Sequence, residues 1–396
     1  MCKKFFNLII TLLVTFIFIN QVEAKEIKPL FGLYKINCND VDDYLKHSWE
    51  ELYMSEEAAK IYPNLAAAIS KYTNEEHKNA IKRQKQYRKD AKQLAKEAPE
   101  IKVPQFYSNN ELIICRADSV VLSVLENIAD YMGGVHGIYG YFGVNFDSET
   151  GTIIKISDIC TNNEDLVKAI MTRLHEDSPN SPFEDAEEYI TQQIADGSIK
   201  FTIEPKSISF HFNPYEIGSY AEGLFTATLL FSDFPDLFNQ KYTQIPEQYC
   251  QSMPLYSTNI VSLKNGMRDF IQFETNDSVL YKISCGEGTV EDKTGLQGVK
   301  SLLLVHMADD QNYLYVDGFI ENEGRRLHVY KISDDKIELV HNLQFSFKNI
   351  GTRKYETWWI VTDPNNIRFD TMEPVGNKNR TSHFGGITED GSIAFG

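Results

Sequence analysis

The chain has 396 residues, 42% hydrophobic and 12% aromatic, which is enough to build a sizeable core and excludes a chain disordered throughout. Lys and Arg number 39 against 56 Asp and Glu, a net charge of −17. A chain this acidic repels phosphate backbones and anionic lipid, so nucleic-acid and membrane-surface roles are disfavoured and a cationic partner is favoured.

Lys3 and Lys4 precede an apolar run over residues 5–19, and Val22 and Ala24 then place small residues where a signal peptidase reads. This pattern predicts a signal peptide over residues 1–24 and a mature chain from Lys25, exported to the periplasm, cell surface or medium. The run is shorter than the roughly 20 residues of a spanning helix, although retention as an anchor stays open. No other segment is apolar enough to cross a bilayer as a helix, so no integral span is expected after cleavage. Cys2 precedes the apolar run and cannot begin a mature lipoprotein. The other cysteines, Cys38, Cys115, Cys160, Cys250 and Cys285, form no CxxC pair, which argues against zinc ribbons and thioredoxin chemistry. One or two disulfides, or buried thiols acting as small hydrophobes, both fit them.

In chain order, residues 25–53 are mixed and residues 56–98 are helical, with an early break at Pro63 and Leu65, Ile69 and Tyr72 at helix spacing. The basic run over 75–97 reads as a solvated helix face above a thin stripe of Ala80, Ile81, Tyr87, Ala91, Leu94 and Ala95. Strands are expected at 112–115, 120–125 and 139–146. Residues 152–156 are expected to pair back as a hairpin after a turn at 147–151. Helices follow at 163–173 and 183–194, then strands at 200–203, 207–212 and 224–231. The pattern makes an α+β domain over 25–239, an antiparallel sheet with helices. Residues 240–258, with Pro246 and Pro254, read as a connector. Residues 259–396 read as an all-β domain, with strands expected at 269–275, 278–284, 301–307, 313–319, 326–332, 336–343, 358–362 and 393–395.

The sequence holds no GxSxG elbow, phosphate loop or HExxH helix. Its nine His are scattered, none three or four residues from another as helix-borne metal ligands would be. No enzyme activity, metal or cofactor is expected. Two patches stand out. In the first, Gly133, Gly134 and Gly137 surround His136, which reads as a contact residue or as a turn histidine bonded to backbone. In the second, a strand ends at Asn213 and Pro214, and the following loop carries Tyr215, Glu216, Tyr220 and Glu222. Exposed Tyr offers contact area and a polar tip at low entropy cost, though both Tyr could equally pack the loop on its sheet.

The stretches around Arg116, Asp118 and Ser119, Ser123, residues 131–137, 145–151, 156–158 and 212–223 resemble one family in order and spacing. It is the exported domain of RsiV-type, lysozyme-sensing anti-sigma factors, also found ahead of the catalytic domain in PdaC-type peptidoglycan deacetylases. The resemblance covers roughly residues 30–238. It implies an α+β binding domain without chemistry of its own, and in the anti-sigma factors that domain binds lysozyme, a cationic protein. The sigma-binding segment and the deacetylase domain of those families have no counterpart here, so the binding role is the one carried over. The sequence thus predicts an exported, non-catalytic envelope protein that binds peptidoglycan, another glycan or a lysozyme-like muramidase. Its candidate contacts are His136, Tyr215, Glu216, Tyr220 and Glu222. The alternatives are a structural or interaction protein of the cell surface and a peptidoglycan-directed hydrolase.

Overall fold

The computed structural model describes residues 26–100, 103–255, 257–263, 267–277, 279–333, 336–344, 356–358, 360–372 and 380–395; the predicted leader at 1–24 lies outside them. An α+β half is followed by a half built from antiparallel strands.

The first layer is a five-stranded sheet, β1 (Leu33–Val41), β2 (Leu45–Met54), β3 (Phe106–Ala117), β4 (Val121–Tyr131) and β5 (Ile138–Asp147), in that order across the sheet. All its pairs are antiparallel except β2 with β3. That parallel pair needs a crossover. Helix α1 (Glu56–Ile61) and the long helix α2 (Pro63–Glu97) supply it. The break falls at Pro63, where the missing N–H costs nothing in a first turn. Leu65 and Ile69 of α2 bury against Leu112, Val124 and Phe146, while the charged run stays largely in solvent.

Helices α3 (Ile156–Ile159), α4 (Asn163–Asp177) and α5 (Ala186–Asp196) precede a second sheet of β6 (Phe201–Ile203), β7 (Ser207–Phe212) and β8 (Phe225–Leu230). Asn162 starts α4 by accepting from the N–H groups of Glu164 and Asp165. The expected hairpin return at 152–156 shrinks to a single bridge between Phe146 and Ile153. There Asp158 turns the chain instead, its carboxylate accepting Lys155 N–H at 2.8 Å to open α3. Phe201, Ile208, Phe210, Phe212 and Leu229 pack one face of the second sheet against α4 and α5.

The two sheets are locked edge to face by a close approach. A Cβ on Gly143 of β5 would sit 1.8 Å from the Phe201 carbonyl oxygen, so only glycine fits. Beside it, Ser123 Oγ donates to Asn145 Oδ1 at 2.7 Å and accepts Ile203 N–H at 2.9 Å, and Asn145 Nδ2 donates to Phe201 O at 2.9 Å.

Residues 240–258, expected as a connector, are built into the fold. Helix α6 (Gln240–Thr243) ends where the buried Arg116 guanidinium donates to Tyr242 O at 2.6 Å and to Gln244 O. Strand β9 (Tyr249–Met253) then pairs with β14 (Gln297–His306) in a nine-stranded sheet. That sheet runs β10 (Asn259–Val261), β11 (Asp269–Asn276), β12 (Val279–Cys285), β14, β15 (Asn312–Ile320), β16 (Gly324–Ser333) and β17 (Lys336–Gln344), with β13 (Gly288–Glu291) on β12. A four-stranded sheet of β18 (Glu356–Trp358), β19 (Ile367–Met372), β20 (Arg380–Ile387) and β21 (Ile393–Phe395) faces it through Val305, Tyr313, Tyr315, Ile367 and Ile387. Residues near 360 reach back to the first sheet, where Ile360 N–H donates to Leu33 O at 2.8 Å, and also hold β9, where Thr362 O accepts Cys250 N–H at 3.2 Å. The five cysteines among the described residues are all free thiols.

Candidate functional site

Two loops meet at one surface: 132–137, joining β4 to β5, and 213–224, joining β7 to β8. The second loop is positioned by Asn213, whose side chain lies over Gly140 where a Cβ would come within 2.9 Å. Its Oδ1 accepts Tyr141 N–H at 2.8 Å. The chain then turns tightly, with Glu216 N–H donating to Asn213 O and Tyr215 N–H to Gly218 O, both at 3.1 Å. The turn forces Tyr215 to φ +74°, a left-handed conformation costly for a residue with a side chain. Strain of this kind at an exposed aromatic residue draws attention to it, and Tyr215 is 68% exposed.

The geometry brings three of the five sequence candidates into one aromatic platform. His136 stacks on Tyr220 with ring centroids 3.8 Å apart and 26° between planes. Tyr215 lies 5.7 Å from Tyr220, tilted by 33°, and Tyr139 meets Tyr220 edge-on at 5.5 Å. His136 Nδ1 is 2.9 Å from the Gly137 carbonyl, which can only accept, so the proton sits on Nδ1. Nε2 then accepts from the Tyr215 hydroxyl at 3.5 Å. Tyr220 OH also donates to Gly137 O, at 2.8 Å. His136 is therefore both a turn histidine and a member of an exposed cluster. Fully exposed Val135 and more than half-exposed Ile138 extend the surface with apolar area.

Glu216 and Glu222 are spent within the protein. Glu216 takes the Lys200 ammonium at 2.7 Å on one oxygen and Asn213 N–H at 2.8 Å on the other. Glu222 accepts both the N–H and the hydroxyl of Ser219 at 2.8 Å, closing the 3-10 turn Tyr220–Glu222. The Ser219 N–H and hydroxyl hold the Glu222 carboxyl below its ordinary value. These carboxylates hold the loop in shape, and Tyr215 faces outward beside the half-buried Tyr220. Tyr139, edge-on to the platform, went unsingled in the sequence, where its neighbours on β5 read only as alternating strand.

A second polar cluster lies inside. Strand alternation places Thr202, Ser207, Ser209, His211, Thr226 and Thr228 on the face of the second sheet opposite its aromatic core, with Glu204 just past β6. Residues 251–254 and 257–260 cover this face, leaving a cavity of about 40 Å³, room for water. Thr202 Oγ1 donates to Glu204 Oε1 at 2.6 Å and lies 2.8 Å from His211 Nε2, whose Nδ1 is 3.3 Å from Thr226 Oγ1. Burial raises the Glu204 carboxyl to about 7, against the pull of hydroxyls from Thr202, Ser207 and Ser209. Burial likewise lowers His211 to about 3, with Lys200 adding to the effect. A carboxyl raised toward neutrality suits proton transfer, and Glu204 lies buried beneath the covering segment.

The motif residues outside the loops are scaffold. Arg116 Nε donates to Asp118 Oδ2 at 2.6 Å, and Asp118 Oδ1 accepts the N–H groups of Val120 and Val121 at 2.8 and 2.9 Å. Asp147 organises its turn by accepting Thr150 N–H at 2.9 Å and pairs with Lys241. Among the described residues no group of three His, Cys, Asp or Glu is placed to hold a metal ion.

Residues 146–232 match the family model "Protein of unknown function (DUF3298)". The matched segment runs from the end of β5 through β8 and contains the second platform loop and the covered polar face. A DUF3298 family structure from Bacteroides fragilis is similar at 17% identity, over 55% of this chain and 96% of that one, with a TM-score of 0.41. Another from Pseudomonas aeruginosa is similar at 11% identity, over 55% and 97%, with a TM-score of 0.36. No curated protein matches the sequence.

Proposed function

We propose that this is an exported cell-envelope protein that works by binding rather than catalysis, and that the His136–Tyr220–Tyr215 platform is its contact surface for the glycan of peptidoglycan. The observation that carries the reading is the exposed stack itself, held open by a strained Tyr215 and by carboxylates turned inward. Flat aromatic faces next to hydroxyl and imidazole groups suit a sugar ring, whose C–H face stacks while its hydroxyls take hydrogen bonds. The apolar run ahead of Lys25 supports export. The resemblance to RsiV-type domains supports an envelope ligand.

A cationic muramidase is the second reading, favoured by the net charge of −17, which would speed encounter with a basic partner. With Glu216 and Glu222 already paired, the platform offers such a partner aromatic anchors but no spare carboxylate. Co-sedimentation with purified sacculi, beside surface plasmon resonance on immobilised lysozyme, separates the two. Wild type should pellet with sacculi, and Tyr215→Ala with Tyr220→Ala should lose roughly tenfold or more in affinity. Equal pelleting of wild type and the double variant would rule out the platform. Salt-sensitive lysozyme binding without sacculus binding would replace the glycan by the muramidase.

A further inference from the structure

A cavity of about 390 Å³ opens where the matched segment meets the nine-stranded sheet. One wall is the turn between β6 and β7, which presents Lys206; the other is a set of hairpin ends carrying Asp269, Asp310, Gln311 and Lys331. Its volume lies within the roughly 300–1,000 Å³ of organic-ligand pockets, and junctions between structural units are where such pockets concentrate.

The cavity is lined by two cations. In a chain with 56 acidic residues, neither Lys206 nor Lys331 forms an ion pair among the described residues. Lys331 Nζ donates to Gln311 Oε1 at 2.7 Å, a neutral partner, and lies 5.9 Å from the Tyr313 ring centroid. Lys206 is half-buried, and its desolvation lowers its basicity despite the attraction of Asp310. A partly desolvated ammonium that faces a cavity and makes no direct ion pair is a cost that an anionic ligand removes. Asp269 and Asp310 line the same space, Asp269 fixed by Leu263 N–H at 3.2 Å. They repel a dianion more strongly than a monoanion, and they can accept from a hydroxyl or ammonium on the ligand's body.

We propose that this junction cleft is a binding site for a small organic monocarboxylate, its carboxylate taken by Lys206 and Lys331 and its hydroxyl or amino groups turned toward Asp269 and Asp310. An acidic sugar and a peptide C-terminus share that chemistry. Because Lys206 and Lys331 come from different sheets, the ligand also ties the two halves together. The site is separate from the aromatic platform and stands or falls without it.

Isothermal titration of the full chain at low salt tests this with glucuronate and alanyl-alanine, each beside a twin that lacks the carboxylate, glucose and alanyl-alanine amide, and with inorganic phosphate. One carboxylate should bind, its twin without the carboxylate should not, and phosphate should bind more weakly. Lys206→Met and Lys331→Met should each weaken binding by roughly tenfold, as expected for losing one charged contact. Bound ligand should raise the melting temperature of wild type but not of Lys206→Met, which also shows that the variant folds. Tyr215→Ala with Tyr220→Ala should bind the carboxylate unchanged. The proposal is overturned if neither carboxylate binds, if phosphate binds best, or if Lys206→Met binds as wild type does.

Discussion

Replacing Glu204 by Gln should change how stability depends on pH, and the structure sets both sign and size. The Glu204 carboxyl lies at about 7 in the fold against an ordinary 4.5. Between those values the folded chain keeps a proton the unfolded chain has released, so stability falls as pH rises, by about 1.4 kcal/mol per unit and about 3 kcal/mol in all. His211, lowered from 6.5 to about 3, acts in the opposite sense: its stability is present above 6.5 and lost as pH falls toward 3. The two slopes cancel where the windows overlap, between 4.5 and 6.5. Glu204→Gln keeps the shape and the acceptor for Thr202 while removing one slope. The variant should match wild type near pH 4.5 and exceed it by about 3 kcal/mol at pH 7. His211→Asn should expose the complementary slope. Urea denaturation followed by tryptophan fluorescence from pH 4.5 to 8 measures both, and the difference between variant and wild type isolates the pair. A Glu204→Gln difference that stays constant with pH, or shrinks toward neutrality, would refute the reasoning.

Three other outcomes are expected. Gly143→Ala should cost about 3 kcal/mol in urea denaturation, because its Cβ would overlap the Phe201 carbonyl and no flexible side chain can yield; a loss below about 1 kcal/mol would mean the two sheets are not locked there. Asp292 is buried against His328 Nδ1 at 2.9 Å, Thr294 Oγ1 at 2.6 Å and the Tyr330 hydroxyl, which hold its carboxyl at about 2. Its stabilisation is present above 3.8 and lost as pH falls through 2, so Asp292→Asn should cost about 3 kcal/mol at neutral pH and flatten the acid limb of the curve. Limited proteolysis should spare residues 240–258, since Arg116 holds Tyr242 and Gln244 and β9 is paired with β14; first cuts inside that stretch would contradict the pairing.

What the sequence made legible was periodic and local. Alternation along Ser207–Phe212 placed β7 at its observed bounds, and Pro63 placed the helix break, because both signals sit within a few residues of their effect. Strand β9 was hidden because Pro246 and Pro254 flank it like linker punctuation and its partner β14 follows some fifty residues later. Of the platform, the aromatic residues could be read as surface candidates from their loop. That Glu216 would be used by Lys200 and Asn213 depends on loop closure, which no spacing reveals. Arg116, Asp118, Ser123 and Asn145, which carry much of the family resemblance, are buried joints of the scaffold. A motif of this kind advertises a fold more than a ligand.

The contact of Ile360 with Leu33, and of Thr362 with Leu30 across 332 positions of sequence, has a consequence for the order in which the molecule is made. Closing so long a loop adds little to the equilibrium cost, since that cost grows only with the logarithm of length. In time the effect is larger. During N-to-C synthesis the outer edge of β1 exists long before the residues that shield it, and through that interval it offers bare N–H and C=O groups to any passing strand. Shielding of β1 is therefore among the last events of maturation, and interrupted refolding should show the Leu33 region protected from hydrogen exchange only after β2–β5. A chain cut before residue 360 keeps that edge open for good, and self-association rather than unfolding is its expected fate.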